Sequence, residues 1–215
     1  MAMITLTFDN GPEPDATPHV LDTLRRHGIR ATFFVLGRKL VTHRALAERA
    51  HDEGTWIGNH TFSHAVPLGL VTEPGTAADE IARTEALIGD LAHEQRLFRP
   101  YGGGGKLGKQ LLNREARDHL AGNGYTIVLW NAVPEDWNDS EGWVARALDQ
   151  CFAQEETLIV LHDLPTGAMK HLDRFIGAAG DRGAVFRQEL PASCLPMIRG
   201  QADPSLASCV SDSCA

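Results

Sequence analysis

The sequence predicts an α/β fold built on parallel strands, and three observations carry that expectation. Seven short apolar runs rich in β-branched and aromatic residues recur along the chain, amphipathic segments separate them, and polar residues gather where several of the runs end. Strict alternation of strand and helix implies parallel strands joined by right-handed crossovers, in an open doubly wound sheet or in a barrel. With 215 residues, 43% of them hydrophobic, the chain can bury one proper core, so a single domain is expected.

The first run, MITLTF from Met3 to Phe8, starts the sheet. A helix follows, with Thr17 as N-cap, Pro18 at its first position, Val20, Leu21 and Leu24 facing one way, and Gly28 as the stop. ATFFVL (31–36) reads as the second strand, Thr42 to Glu53 as the second helix, and TWIG (55–58) as the third strand. Thr76 to Leu91 places Ile81, Thr84, Leu87, Ile88 and Leu91 on one stripe, and RLF (96–98) comes next. Helices over Lys109–Ala121, Ser140–Phe152 and Ala168–Ala179 then alternate with TIVLW (126–130), TLIVL (157–161) and AVF (184–186). From Pro191 the composition turns to Ser, Cys, Pro and Asp, so the division expected is a domain over 1–190 and an irregular tail over 191–215.

A formal charge of −8 without blocks of like charge argues against nucleic acid or an anionic membrane as the main partner. No apolar run approaches the roughly 20 residues needed to span a bilayer. The first strand starts almost at the N-terminus, which leaves no room for a leader, so a cytoplasmic location is expected. Cys151, Cys194, Cys209 and Cys214 fall on no CxxC spacing, which disfavours a zinc cluster and favours ordinary thiols. A Cys194–Cys209 or Cys209–Cys214 disulfide would need oxidising conditions.

Chemistry-bearing residues follow the runs: Asp9 and Asn10 after the first, Asn59 and His60 after the third, Arg99 after the fourth, Asn131 after the fifth, His162 and Asp163 after the sixth. In a parallel α/β fold the active site lies at the C-terminal strand ends, so these residues should converge. His60 and His64, four apart, would meet on one side of a helical turn at a separation suited to one divalent cation. Such a pair alone is more often solvated surface; its place after a strand end, on the face of Asp9, favours ligation. His162 reads as a core histidine or as a general acid or base. Asp136 and Trp137 read as an acidic turn with a packed indole, or as a carboxylate orienting a histidine beside an aromatic wall. GGGGK (102–106) lacks the spacing and final hydroxyl of a phosphate-binding loop.

Together TFDNGP, HTFSH, RPYG, EDW and IVLH resemble, in this order, the five motifs of polysaccharide deacetylases of the NodB-homology type, carbohydrate esterase family 4. The resemblance covers Thr5 to Asp163. It implies a distorted (β/α) barrel of about seven parallel strands and a metal-dependent removal of acetyl groups from N-acetylated, or in some members O-acetylated, sugars. Asp9 would be the catalytic base and His162 the general acid. Asn10, His60 and His64 would hold a divalent metal, zinc first and cobalt or nickel as alternatives. Arg99 would hold Asp9, the backbone N–H of Tyr101 would meet the oxyanion, and Asp136 would tune His162. Trp137 and Val160 would line the acetyl pocket.

Three positions depart from the family pattern. Asn10 stands where Asp is usual, a second proline before Tyr101 is missing, and Val133 stands where another Asp is usual. Asn offers a neutral and weaker oxygen ligand. Two readings follow: a deacetylase with a modified metal site, since Asp9, Arg99 and His162 are all present, or a non-catalytic carbohydrate-binding homologue.

Overall fold

In the computed structural model, which describes residues 1–212, the central strand is β1 (Met3–Asp9). Ile4, Leu6 and Phe8 are buried on one side and Thr5 and Thr7 on the other, as a strand covered on both faces requires. β6 (Glu156–His162) runs parallel along its whole length, from Met3 opposite Glu156 to Asp9 opposite His162. The other edge of β1 is shared: β2 (Thr32–Val35) pairs with residues 7–9 and β7 (Val185–Arg187) with residues 3–5. The parallel sheet continues from β2 through β3 (Trp56–Asn59), β4 (Leu97–Phe98) and β5 (Thr126–Ile127). Beyond β5, Ala132 forms a parallel bridge with Ile159 of β6, so the curled sheet meets itself as a distorted barrel.

The helices are α1 (Thr17–His27), α2 (Gly37–Asp52), α3 (Thr76–Ile88), α4 (Arg114–Gly122), α5 (Trp143–Phe152) and α6 (Leu172–Asp181). α1 ends as expected, with Gly28 in the left-handed region at φ 65°. Its start differs. Thr17 belongs to the helix, and the N-cap is Ala16, which has no side-chain acceptor to cap it; the Thr17 hydroxyl bonds Asp163. α2 begins five residues before the expected Thr42 and kinks at His43 (φ −127°, ψ 27°), so the sequence pattern found only the part beyond the kink. α4 begins at Arg114 rather than Lys109, where the Asn113 side chain accepts the Ala116 N–H at 2.8 Å.

The stretch after Pro191 is not irregular throughout. β8 (Met197–Ile198) and β9 (Gln201–Ala202) form an antiparallel pair, and β8 joins β5 through Ile127 and Met197. Cys194, Met197, Leu206 and Cys209 are buried in the same apolar cluster as Phe98, Leu120 and Ile127. These pieces are too short for a period to show in sequence; burial against the barrel organises them. Cys151, Cys194 and Cys209 are buried free thiols, and Cys214 lies outside the described residues. Among the described residues, no helix is long and apolar enough to cross a membrane.

Candidate active site

The last residues of β1 and β6 place Asp9 and His162 side by side in register. Each is held by a partner from elsewhere in the chain. Arg99, fully buried after β4, donates through Nη1 to Asp9 Oδ1 at 2.8 Å and to Thr7 Oγ1 at 2.7 Å. Its Nε and Nη2 reach the carbonyls of Val128 and Leu129, and its guanidinium lies 4.1 Å from the centre of the Phe34 ring. A cation bound on so many sides has one orientation. Burial alone would push the Asp9 carboxyl up, but the charge of Arg99 and its hydrogen bond hold it below the ordinary value, so it is ionised.

His162 is gripped twice by the buried Asp136, which accepts from the ring Nδ1 at 2.9 Å and from the backbone N–H at 2.8 Å. The carboxylate fixes the tautomer and leaves Nε2 for other partners. Burial works against the imidazolium, but Asp136, with smaller contributions from Asp9 and Asp163, raises the pKa above its ordinary value. The Trp137 ring meets His162 edge-on, with centroids 4.8 Å apart.

Across from this pair lie His60 and His64, with ring centroids 4.9 Å apart. The segment joining them is not the helical turn that their spacing suggests. Thr61 (φ 71°) and His64 (φ 54°) are left-handed, and the Glu80 carboxylate of α3 accepts the N–H groups of Phe62 and Ser63. Such backbone is costly outside glycine and is held by these contacts. His60 Nδ1 bonds the Arg99 carbonyl at 2.8 Å; a carbonyl only accepts, so Nδ1 carries the proton and Nε2 offers its lone pair, 3.6 Å from Asp9 Oδ2. Burial pushes His60 down, and burial followed by His60 pushes His64 down to about 3, so both are neutral imidazoles at pH 7. Asn10 is left-handed too (φ 75°), and its buried Oδ1 has no hydrogen-bond partner.

Two imidazoles and an unpartnered amide oxygen fit a borderline-soft divalent cation in kind, though the set carries no charge of its own. Among the described residues no group of three His, Cys, Asp or Glu side chains is arranged to hold a metal. Asp9, His60, His64 and His162 line one cavity of about 210 Å³, together with Asn10, Tyr101, Trp137 and Val160. The Tyr101 ring stacks on His64 at 3.7 Å.

Every proposed site residue therefore reaches this cavity except Arg99 and Asp136, which stand behind Asp9 and His162. Asn131 does not converge: its side chain donates to the Glu156 carbonyl and accepts the Leu158 N–H, tying the chain after β5 to β6. The sequence reading missed the opposite wall. Trp130 lies against Gly102 and donates its indole N–H to the Gly105 carbonyl at 2.8 Å, while Val133 packs where a Gly105 side chain would stand. The glycine run was the available signal: at 102 and 105 a side chain would collide with Trp130 and Val133, and residues 103–105 have positive φ.

The distorted parallel barrel is a fold shared with family 4 carbohydrate esterases. The polysaccharide deacetylase family model matches residues 2–128, and the chain belongs to that family. A chitooligosaccharide deacetylase of Bradyrhizobium is 30% identical over 165 residues, covering 74% of this chain and 70% of the relative. A peptidoglycan-N-acetylglucosamine deacetylase of Listeria monocytogenes is 28% identical over 185 residues, 85% of this chain and 37% of the relative. The chain thus spans little more than a third of the length of that relative. Among solved structures, a family 4 carbohydrate esterase from Streptomyces lividans in complex with acetate aligns with a TM-score of 0.74 at 27% identity, over 90% of this chain and 96% of the other.

Proposed function

We propose that this chain is a metal-dependent hydrolase that removes the acetyl group from an N-acetylated sugar, in a chito-oligosaccharide or a peptidoglycan strand. The observation that carries the reading is the register of Asp9 and His162, adjacent on β1 and β6 and each backed by a buried group of opposite charge. Asp9, ionised beside Arg99, takes the proton of the attacking water. His162, kept protonated by Asp136, gives a proton to the departing amine nitrogen. Nε2 of His60, a ring nitrogen of His64 and Oδ1 of Asn10 would hold the cation, zinc first and cobalt or nickel in its place. When bound, the cation polarises the acyl carbonyl and acidifies water. The Tyr101 N–H serves the oxyanion, and Trp137 and Val160 border the methyl group.

Asn10 supports one second reading, a carbohydrate-binding homologue without turnover, because a neutral oxygen holds a cation less firmly than a carboxylate. The test is acetate release from N-acetylated chito-oligosaccharides, peptidoglycan fragments and O-acetylated sugars, using chelated protein before and after addition of zinc, cobalt or nickel. Release that returns with metal, and falls by about 10²–10⁴-fold in His162→Ala, is the expected result. Sugar binding by folded protein without release under any metal would favour the binding protein.

A further inference from the structure

Asp163, one residue beyond His162, is fully buried, and apart from the small support its charge gives the His162 proton it has no part in the chemistry above. Its Oδ2 accepts the hydroxyl of Thr17, which in turn accepts the Glu13 N–H at 2.7 Å. Its Oδ1 has no partner. A Cβ placed on Gly11 would lie 2.1 Å from Oδ2 and 2.5 Å from Oδ1, so the carboxylate fills the space of the absent side chain. Gly11 has no positive φ that would call for glycine; space alone demands it there. The end of β6, the loop after β1 and the first turn of α1 therefore meet at one carboxyl group. Burial pushes its pKa up to about 7, against the Thr17 hydrogen bond, the Lys39 charge and its own backbone N–H, so the group is held at a cost that these contacts do not offset.

We propose that Asp163 is a positioning residue whose carboxyl group, seated under Gly11 and tied to Thr17, sets where Asn10 stands relative to Asp9 and His162. The inference deepens the deacetylase reading and rests on it for its catalytic consequence. Asp9 and His162 are already neighbours through β1 and β6, but Asn10 and Gly11 lie beyond the last residue paired with β6; on the β2 side the Asn10 N–H reaches the Phe34 carbonyl at 3.3 Å and the Gly11 carbonyl accepts the Leu36 N–H at 2.9 Å, and on the β6 side it is Asp163 that meets Gly11. Asp163 acts at that point. Without its carboxyl group, Gly11 settles into the vacated space and carries Asn10 with it.

Four variants test this, each checked for folding by circular dichroism. Asp163→Ala lowers kcat about tenfold and changes KM less than about threefold, because the reacting groups shift while the sugar surface does not. Asp163→Asn stays within about threefold of the parent, since the amide has the same shape and its oxygen still accepts from Thr17. Gly11→Ala loses activity and melting temperature, and adding Asp163→Ala to it restores part of both, because the methyl group then has room. Crystal structures of the parent and Asp163→Ala give a readout that needs no turnover: the Asn10–Gly11 loop moves relative to His162. An unmoved loop, unchanged kcat in Asp163→Ala, or additive losses in the double variant would each overturn the proposal. If the parent shows no turnover with any metal, the deacetylase reading fails, and positioning is judged by the loop shift and the melting-temperature rescue.

Discussion

On the β1–β6 side of the cavity, Asp9 and His162 each face a buried partner of opposite charge, Arg99 at 2.8 Å and Asp136 at 2.9 Å. Asn10, just after β1, and His60 and His64, after β3, are neutral, and Asn10 and His64 are on left-handed backbone. The first half is preorganised by charges already within the protein. The second presents lone pairs, with one oxygen that no protein donor satisfies. Substitutions in the first half should therefore alter stability and protonation, and substitutions in the second should alter cation affinity with little effect on the fold.

The largest effect expected from breaking that contrast comes from Arg99→Met. It strands a buried carboxylate and should destabilise the protein by about 3–5 kcal/mol in urea unfolding at pH 7, or force Asp9 to take up a proton. If unfolding is unchanged, the two halves do not differ as described.

Asp136→Asn is next. Asp136 is the main opponent of the burial that disfavours the His162 cation, so its loss lowers the His162 pKa. The imidazolium then deprotonates at lower pH, and the alkaline limb of kcat/KM moves to lower pH. The stability that this raised pKa confers is fully present below the unfolded-state value near 6.5 and fades as pH rises through the folded value, so the variant loses more stability near pH 5.5 than near pH 9. A pH–rate profile and unfolding at the two pH values check both signs.

Asn10→Asp sharpens the contrast from the other side. A carboxylate beside two imidazoles should tighten zinc binding about tenfold in calorimetry while melting of the metal-free protein hardly changes. Equal zinc affinity in parent and variant would remove Asn10 from the ligand set.

The order of strands and helices was legible because apolar periodicity is local: MITLTF and TLIVL announce buried strands, and Gly28 ends α1 where the composition places it. The site residues were legible for a related reason, since a parallel sheet brings its strand ends to one side and polar residues after apolar runs must gather there. Where the signal misled, the backbone was set by distant groups. Thr17 resembles a cap in sequence, but its hydroxyl is taken by Asp163, 146 residues away. His60 and His64 look like a helical pair, yet Glu80 of α3 shapes their turn. Asn131 follows a strand as the site residues do, but β6 claims its amide.

The sequence by itself determined the alternating architecture and the family, and it named the candidates for base, acid and metal ligands. Only the tertiary structure decided that β2 and β7 share one edge of β1, that β8 extends the sheet past β5, and that Asp163 fills the space left by Gly11. The physical reason is range. Periodicity and turn chemistry act over a few residues, whereas ion pairing, burial and close packing depend on separations that exist only once the chain has folded.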